Sequence, residues 1–94
     1  MAWTIILEDE NKEPIITLSN ELEIKFNNDK SNFKLLCFLD AYGDTIFNRL
    51  QMDDLIKDLQ NLNLIEANPL LDEIKILAER CKNGEHTYLA FYGD

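Results

Sequence analysis

The chain has 94 residues, with 18 acids against 9 bases and a formal net charge of -9. This length accommodates one domain with one core, and an apolar fraction of 46% with 10% aromatics is that of a folded globule. The acid excess argues against direct binding of nucleic acid, which needs Lys and Arg to displace counterions, and against an anionic membrane surface.

The charge is unevenly placed. Residues 1–24 carry six acids and one lysine, residues 25–39 one acid and three lysines, and residues 40–66 six acids and two bases. Two acidic blocks therefore flank a mildly basic segment. A focused negative surface speeds encounter with a cationic protein and makes the rate salt-dependent. A signal peptide is not expected, because Glu8, Asp9 and Glu10 arrive where its apolar stretch would be. No apolar run approaches the ~18 residues of a membrane span. The expected location is cytoplasmic. Cys37, in an apolar run, and Cys81, on a helix face, are expected to be reduced, buried and unpaired.

In chain order, residues 2–8 (AWTIILE) read as a β-strand. A polar turn at 9–12 leads into a second strand over 13–19, which Pro14 pushes toward a sheet edge. Residues 22–26 (LEIKF) alternate as a half-buried strand does, and 27–32 is a polar loop. Residues 33–39 (FKLLCFL) read as a central strand, followed by a turn at 40–44 and a return strand over 45–50, making 33–50 a hairpin.

The apolar period then changes. Met52, Leu55, Ile56, Leu59 and Leu62 share one helical face, predicting a helix over 52–63 with Asp53 and Asp54 in its first turn. Asn68-Pro69 starts a second helix striped by Leu70, Leu71, Ile74, Leu77, Ala78 and Cys81, and Gly84 ends it. Residues 86–92 (HTYLAFY) form a last strand. The expected fold is α+β: an antiparallel sheet of four to six strands in the order β-β-β-β-β-α-α-β, covered on one face by a helical hairpin.

The most distinctive local feature is a repeated tripeptide, Tyr42-Gly43-Asp44 and Tyr92-Gly93-Asp94, each following a strand. Turn chemistry explains it: Gly supplies a positive φ and Asp bonds its neighbouring backbone. If the two strand ends lie together, Asp40, Asp44 and Asp94 could instead converge with Tyr42 and Tyr92 on a cation or a proton-transfer site. His86 is the single histidine, and a thiol buried in FKLLCFL is a poor nucleophile, so a Cys37–His86 pair is not expected. Two Cys and one His build no standard zinc site, and no cofactor or metal is expected. Trp3, Leu64, Ile65 and Ile76 are candidate interface residues. Each has an ordinary alternative: Trp3 in the core, Leu64 and Ile65 stapling the loop between the helices, Ile76 as a lone exposed side chain.

The segment Asp40-Ala-Tyr-Gly-Asp-Thr-Ile-Phe-Asn-Arg-Leu-Gln51 resembles one in a family of small bacterial proteins of unknown function. The opening Ile5–Glu10 and the stretch from Leu77 to Asp94 are similar to the same family, which brings no established activity or catalytic residues to carry over. By size and acidity the chain is also similar to immunity proteins that neutralise bacterial toxins. That second resemblance implies a non-catalytic inhibitor of a cationic toxin domain of the nuclease class; the chain itself is expected to be a monomer or weak homodimer. Its steering charges would be Glu8, Asp9, Glu10, Asp40, Asp44, Asp53, Asp54, Asp58 and Asp94, with Trp3, Tyr42 and Tyr92 as anchors. Two other classes compete: a carboxylate-dependent or metal-dependent hydrolase using Asp40, Asp44 and Asp94, and a general interaction or regulatory module that pairs through an open strand edge.

Overall fold

The computed structural model describes residues 2–24, 33–40 and 42–93. Strand β1 (Ala2–Asp9) places Trp3, Ile5 and Leu7 on one face, as alternation demands. Asp9 closes the turn that follows: its Oδ1 accepts from the amides of Asn11 (2.8 Å) and Glu13 (3.0 Å). Lys12 takes a left-handed φ of 63°, the conformation a three-residue hairpin loop needs at its last position. The chain returns as β2 (Pro14–Thr17), an edge strand as Pro14 requires. Strand β3 (Leu22–Glu23) pairs with the start of β1, Trp3 opposite Leu22. The remainder of the third predicted strand, residues 25–26, and the loop at 27–32 lie outside the described residues.

Residues 33–39 do not form a strand. Phe33, Leu36, Cys37 and Leu39 are buried and Leu36–Phe38 make a single 3₁₀ turn. The reason is Asp58, a residue only 3% exposed on the first helix. Its carboxylate accepts from the backbone N–H groups of Lys34 (3.2 Å), Leu35 (2.7 Å) and Leu36 (3.0 Å). Those amides, which a strand would spend on a neighbour, are bound to a helix side chain instead. The predicted 33–50 hairpin is therefore absent. Strand β4 (Asp44–Asn48) pairs with the C-terminal strand, and not with residues 33–39.

β4 also stops earlier than expected. Asn48 Oδ1 accepts from the Leu50 amide (3.0 Å), and Gln51 Oε1 accepts from the Asn48 amide (2.9 Å), a capping box that begins a 3₁₀ turn over Arg49–Gln51. That turn runs into α1 (Met52–Ile65), which continues through Leu64 and Ile65 rather than ending before them. Both side chains are exposed, so they staple nothing. Helix α2 (Pro69–Asn83) starts with Pro at its first turn and the Asn68 side chain accepting from the Leu70 amide (3.0 Å). Strand β5 (Thr87–Tyr92) completes the sheet.

The strand order is β2-β1-β5-β4, with β3 also paired to β1, and every pairing is antiparallel. The first and last long strands are thus central neighbours, in register from Thr4 opposite Tyr92 to Asp9 opposite Thr87. The two helix stripes, with Met52, Leu55, Leu59, Leu62, Ile74 and Leu77 all buried, pack with Ile5, Leu7, Leu89 and Phe91 in one core. Phe47 and Phe91 meet edge to face, centroids 5.7 Å apart. The α+β fold, an antiparallel sheet with a helical hairpin, is as the sequence predicts.

The Asp58 clamp makes a quantitative prediction. Asp58→Ala removes a charged acceptor from three amides. It is expected to lower stability by about 3 kcal/mol or more, read as a fall in the urea midpoint at unchanged slope.

Candidate binding surface on the open sheet face

Strand alternation assigns the opposite face of the sheet. On β1 it carries Thr4, Ile6 and Glu8; on β5, Tyr88, Ala90 and Tyr92; on β4, Asp44, Ile46 and Asn48. Ile6 and Ile46 both lie opposite Ala90, so the small alanine is the floor of the face and the two isoleucines its flanks. Ala90 is fully buried, Ile6 and both tyrosines are half-buried, and Ile46 is exposed.

Glu8 is the anomaly. It is 4% exposed, although the residue is an acid on the face opposite the helices. The Tyr92 hydroxyl donates to Glu8 Oε2 across a diagonal of the β1–β5 pair. Burial, first, then the hydrogen bond and the charges of Glu8 and Asp44, raise the Tyr92 pKa from 10.0 to about 12. All of these favour the neutral phenol.

The two tripeptides do meet. Asp44 lies opposite Tyr92 across β4 and β5, and the Gly93 amide donates to the Gly43 carbonyl (2.9 Å). What they form is a turn-to-strand junction. Asp40 Oδ1 accepts from the Tyr42 amide (2.9 Å), its carbonyl accepts from the Gly43 amide (3.3 Å), and the same carbonyl receives the Trp3 indole N–H (2.9 Å). Gly43 has no positive φ, contrary to expectation. Space is its reason: a Cβ there would stand 2.7 Å from Asp40 Oδ2. Asp94 lies outside the described residues. Among the described residues no group of three or more His, Cys, Asp or Glu is placed to hold a metal ion.

The expected site residues thus separate. Trp3 is a core residue at 2% exposure, its indole bound to the Asp40 carbonyl, so it is no surface anchor. Asp58 is a buried backbone acceptor and Glu8 a buried partner of Tyr92, so neither is a free steering charge. Asp53 and Asp54 lie 2.7 Å and 3.7 Å from Lys82 and Lys34, in surface ion pairs of little energetic weight. Asp9 and Asp40 hold turns, while Glu10, Asp40 and Asp44 are exposed. Tyr42 is exposed and Tyr92 half-buried on the open face. Ile6, Ile46, Tyr88 and Ala90 were not anticipated; the alternation of 86–92 marks Tyr88, Ala90 and Tyr92 as one face, and only the pairing adds the isoleucines.

Two cavities among the described residues border this region. One, of about 150 Å³, is lined by Glu8, Asp9, Glu10, Lys12, Ile46 and Tyr88. A second, of about 230 Å³, lies beyond Tyr88 among Asn48, Arg49, Leu50, His86 and Thr87. His86 is exposed with a left-handed φ of 54°, its Nδ1 3.6 Å from Glu10 Oε2. Cys81, under the sheet, is fully buried; burial pushes its thiol pKa up, against a smaller opposing pull from the Thr87 hydrogen bond.

Two measurements test these assignments. Because the folded pKa of Tyr92 is raised, its contribution to stability is complete below pH 10 and is lost as the pH climbs through about 12. Tyr92→Phe is expected to abolish the tyrosinate absorbance step near pH 12 and flatten that alkaline limb, while costing about 1–3 kcal/mol at neutral pH by stripping Glu8 of its partner. Cys81 is expected to resist a thiol-specific disulfide reagent until the chain unfolds, so that its labelling tracks the urea transition.

No family model matches the chain, and neither does any curated protein or solved structure.

Proposed function

We propose that this chain is a non-catalytic inhibitor of the immunity type, which binds and neutralises a cationic bacterial toxin domain of the nuclease class in the cytoplasm. The open sheet face is the observation that supports it. Isoleucines 6 and 46 and tyrosines 88 and 92 surround a buried alanine, with Asp44 at the margin, in a chain of net charge -9. An apolar, tyrosine-rich centre with a charged rim is the anatomy of a protein interface. The acid surplus accelerates encounter with a basic partner and repels nucleic acid.

In this reading Asp9, Glu10, Asp40, Asp44, Asp53 and Asp54 steer the encounter, all being at least partly exposed. Tyr42, at 84% exposure, is the peripheral anchor, and Tyr88 and Tyr92 are the central ones. Glu8 belongs to the centre of the face rather than its rim, and Asp58 and Trp3 serve the fold.

The products of the neighbouring reading frames are the test. A basic product that is toxic when expressed alone, is rendered harmless by this chain, and binds it less tightly as salt is raised, supports the proposal. If no neighbouring product is toxic, or if the chain neither binds it nor relieves the toxicity, the proposal fails.

A further inference from the structure

Glu8 sets an electrostatic problem that the fold leaves half solved. Taking a carboxylate out of water is costly unless it is paired with a cation or fully hydrogen-bonded. Glu8 is 4% exposed, yet its one hydrogen-bond partner among the described residues is the neutral Tyr92 hydroxyl, on Oε2. Oε1 has no partner there, and among the described residues no buried side-chain oxygen is left unsatisfied, so Oε1 retains access to solvent. Glu8 also lines the cavity of about 150 Å³, together with Ile46, Tyr88, Asp9, Glu10 and Lys12.

We propose that this cavity receives an arginine side chain of a basic protein partner, with Glu8 as its counter-charge. The proposal rests on the inhibitor reading and specifies its central contact. The walls accept the methylene stem and the face of a guanidinium, which stacks on an aromatic ring and is more weakly hydrated than an ammonium. One guanidinium N–H reaches Glu8 Oε1, and the others remain for Glu10 and solvent. Three carboxylates line the site against one ammonium, that of Lys12, which forms no ion pair with any of them among the described residues. One oxygen of the Asp9 carboxylate, Oδ1, already accepts from the amides of Asn11 and Glu13. The steering charge of the surface and the buried charge of Glu8 therefore point to the same cation.

The probes are N-acetyl-arginine amide and N-acetyl-lysine amide, titrated into the ¹⁵N-labelled full chain. The expected result is amide shifts concentrated at Glu8, Ile46 and Tyr88, with the arginine amide binding at least about threefold more tightly than the lysine amide. Two variants should lose the response: Glu8→Gln, which keeps an acceptor for Tyr92, and Ile46→Lys, which places a cation in the wall at an exposed position. Each is first shown to be folded by its amide spectrum, and Ile46→Lys carries the test alone if Glu8→Gln does not fold. Shifts spread evenly over the acidic surface, equal binding of both amides, or an undiminished response in a folded variant overturns the proposal. The neighbouring toxin separates this inference from the reading beneath it. A toxin bound as tightly by both variants as by the parent chain refutes the arginine site and leaves the inhibitor reading standing. A site that answers the arginine amide in a chain with no toxin to neutralise does the reverse.

Discussion

The three amides held by Asp58 are the constraint on which the upper half of the molecule depends. By binding the amides of residues 34–36, at the start of the 3₁₀ turn Leu36–Phe38, the carboxylate holds this segment to α1 with Phe33, Leu36 and Leu39 in the core. It also sets where Asp40 emerges. The Asp40 carbonyl then takes the Trp3 indole N–H and the Gly43 amide, which joins the start of β1 to the turn before β4. A buried carboxylate is tolerable here because backbone donors converge on it. A single side chain thus ties a helix, a loop and, through Asp40, the sheet.

The second constraint is topological. The chain's first and last long strands are neighbours at the sheet centre, and both helices pack on the same side of them. Every residue of β1 and β5 that faces away from the helices is then committed to one shared surface. That surface is tolerated in water because tyrosine rings, an alanine and an acid share it with the isoleucines, so the apolar area is broken by polar ends. The Tyr92–Glu8 pair lies along it and closes its centre.

The charge of the protein takes on a different meaning once each acid is placed. Asp9 and Asp40 fold turns, Asp58 anchors a loop, Glu8 is buried with Tyr92, and Asp53 and Asp54 stand beside lysines. The acidity is partly a set of backbone and hydroxyl acceptors. The electrostatic field survives this accounting, because an ionised carboxylate that caps a turn still carries its charge.

The sequence by itself determined the element types with a strong period: β1, both helices with the Asn68-Pro69 start, the edge role of Pro14, and the final strand. Each is a local pattern, in which spacing alone decides which side chains share a face. It went astray at residues 33–39, where β-rich composition outweighed the spacing of Phe33, Leu36 and Cys37, which is helical. It also missed Asp58, which stands three residues after Leu55 and four before Leu62, inside the apolar stripe rather than on the solvent side. Only the tertiary structure decided that β5 lies between β1 and β4, and hence that Glu8, Ile46 and Tyr88 surround one cavity. Strand pairing over so many intervening residues leaves no local trace, because the hydrogen bonds that specify it are made by backbone groups identical in every residue but proline.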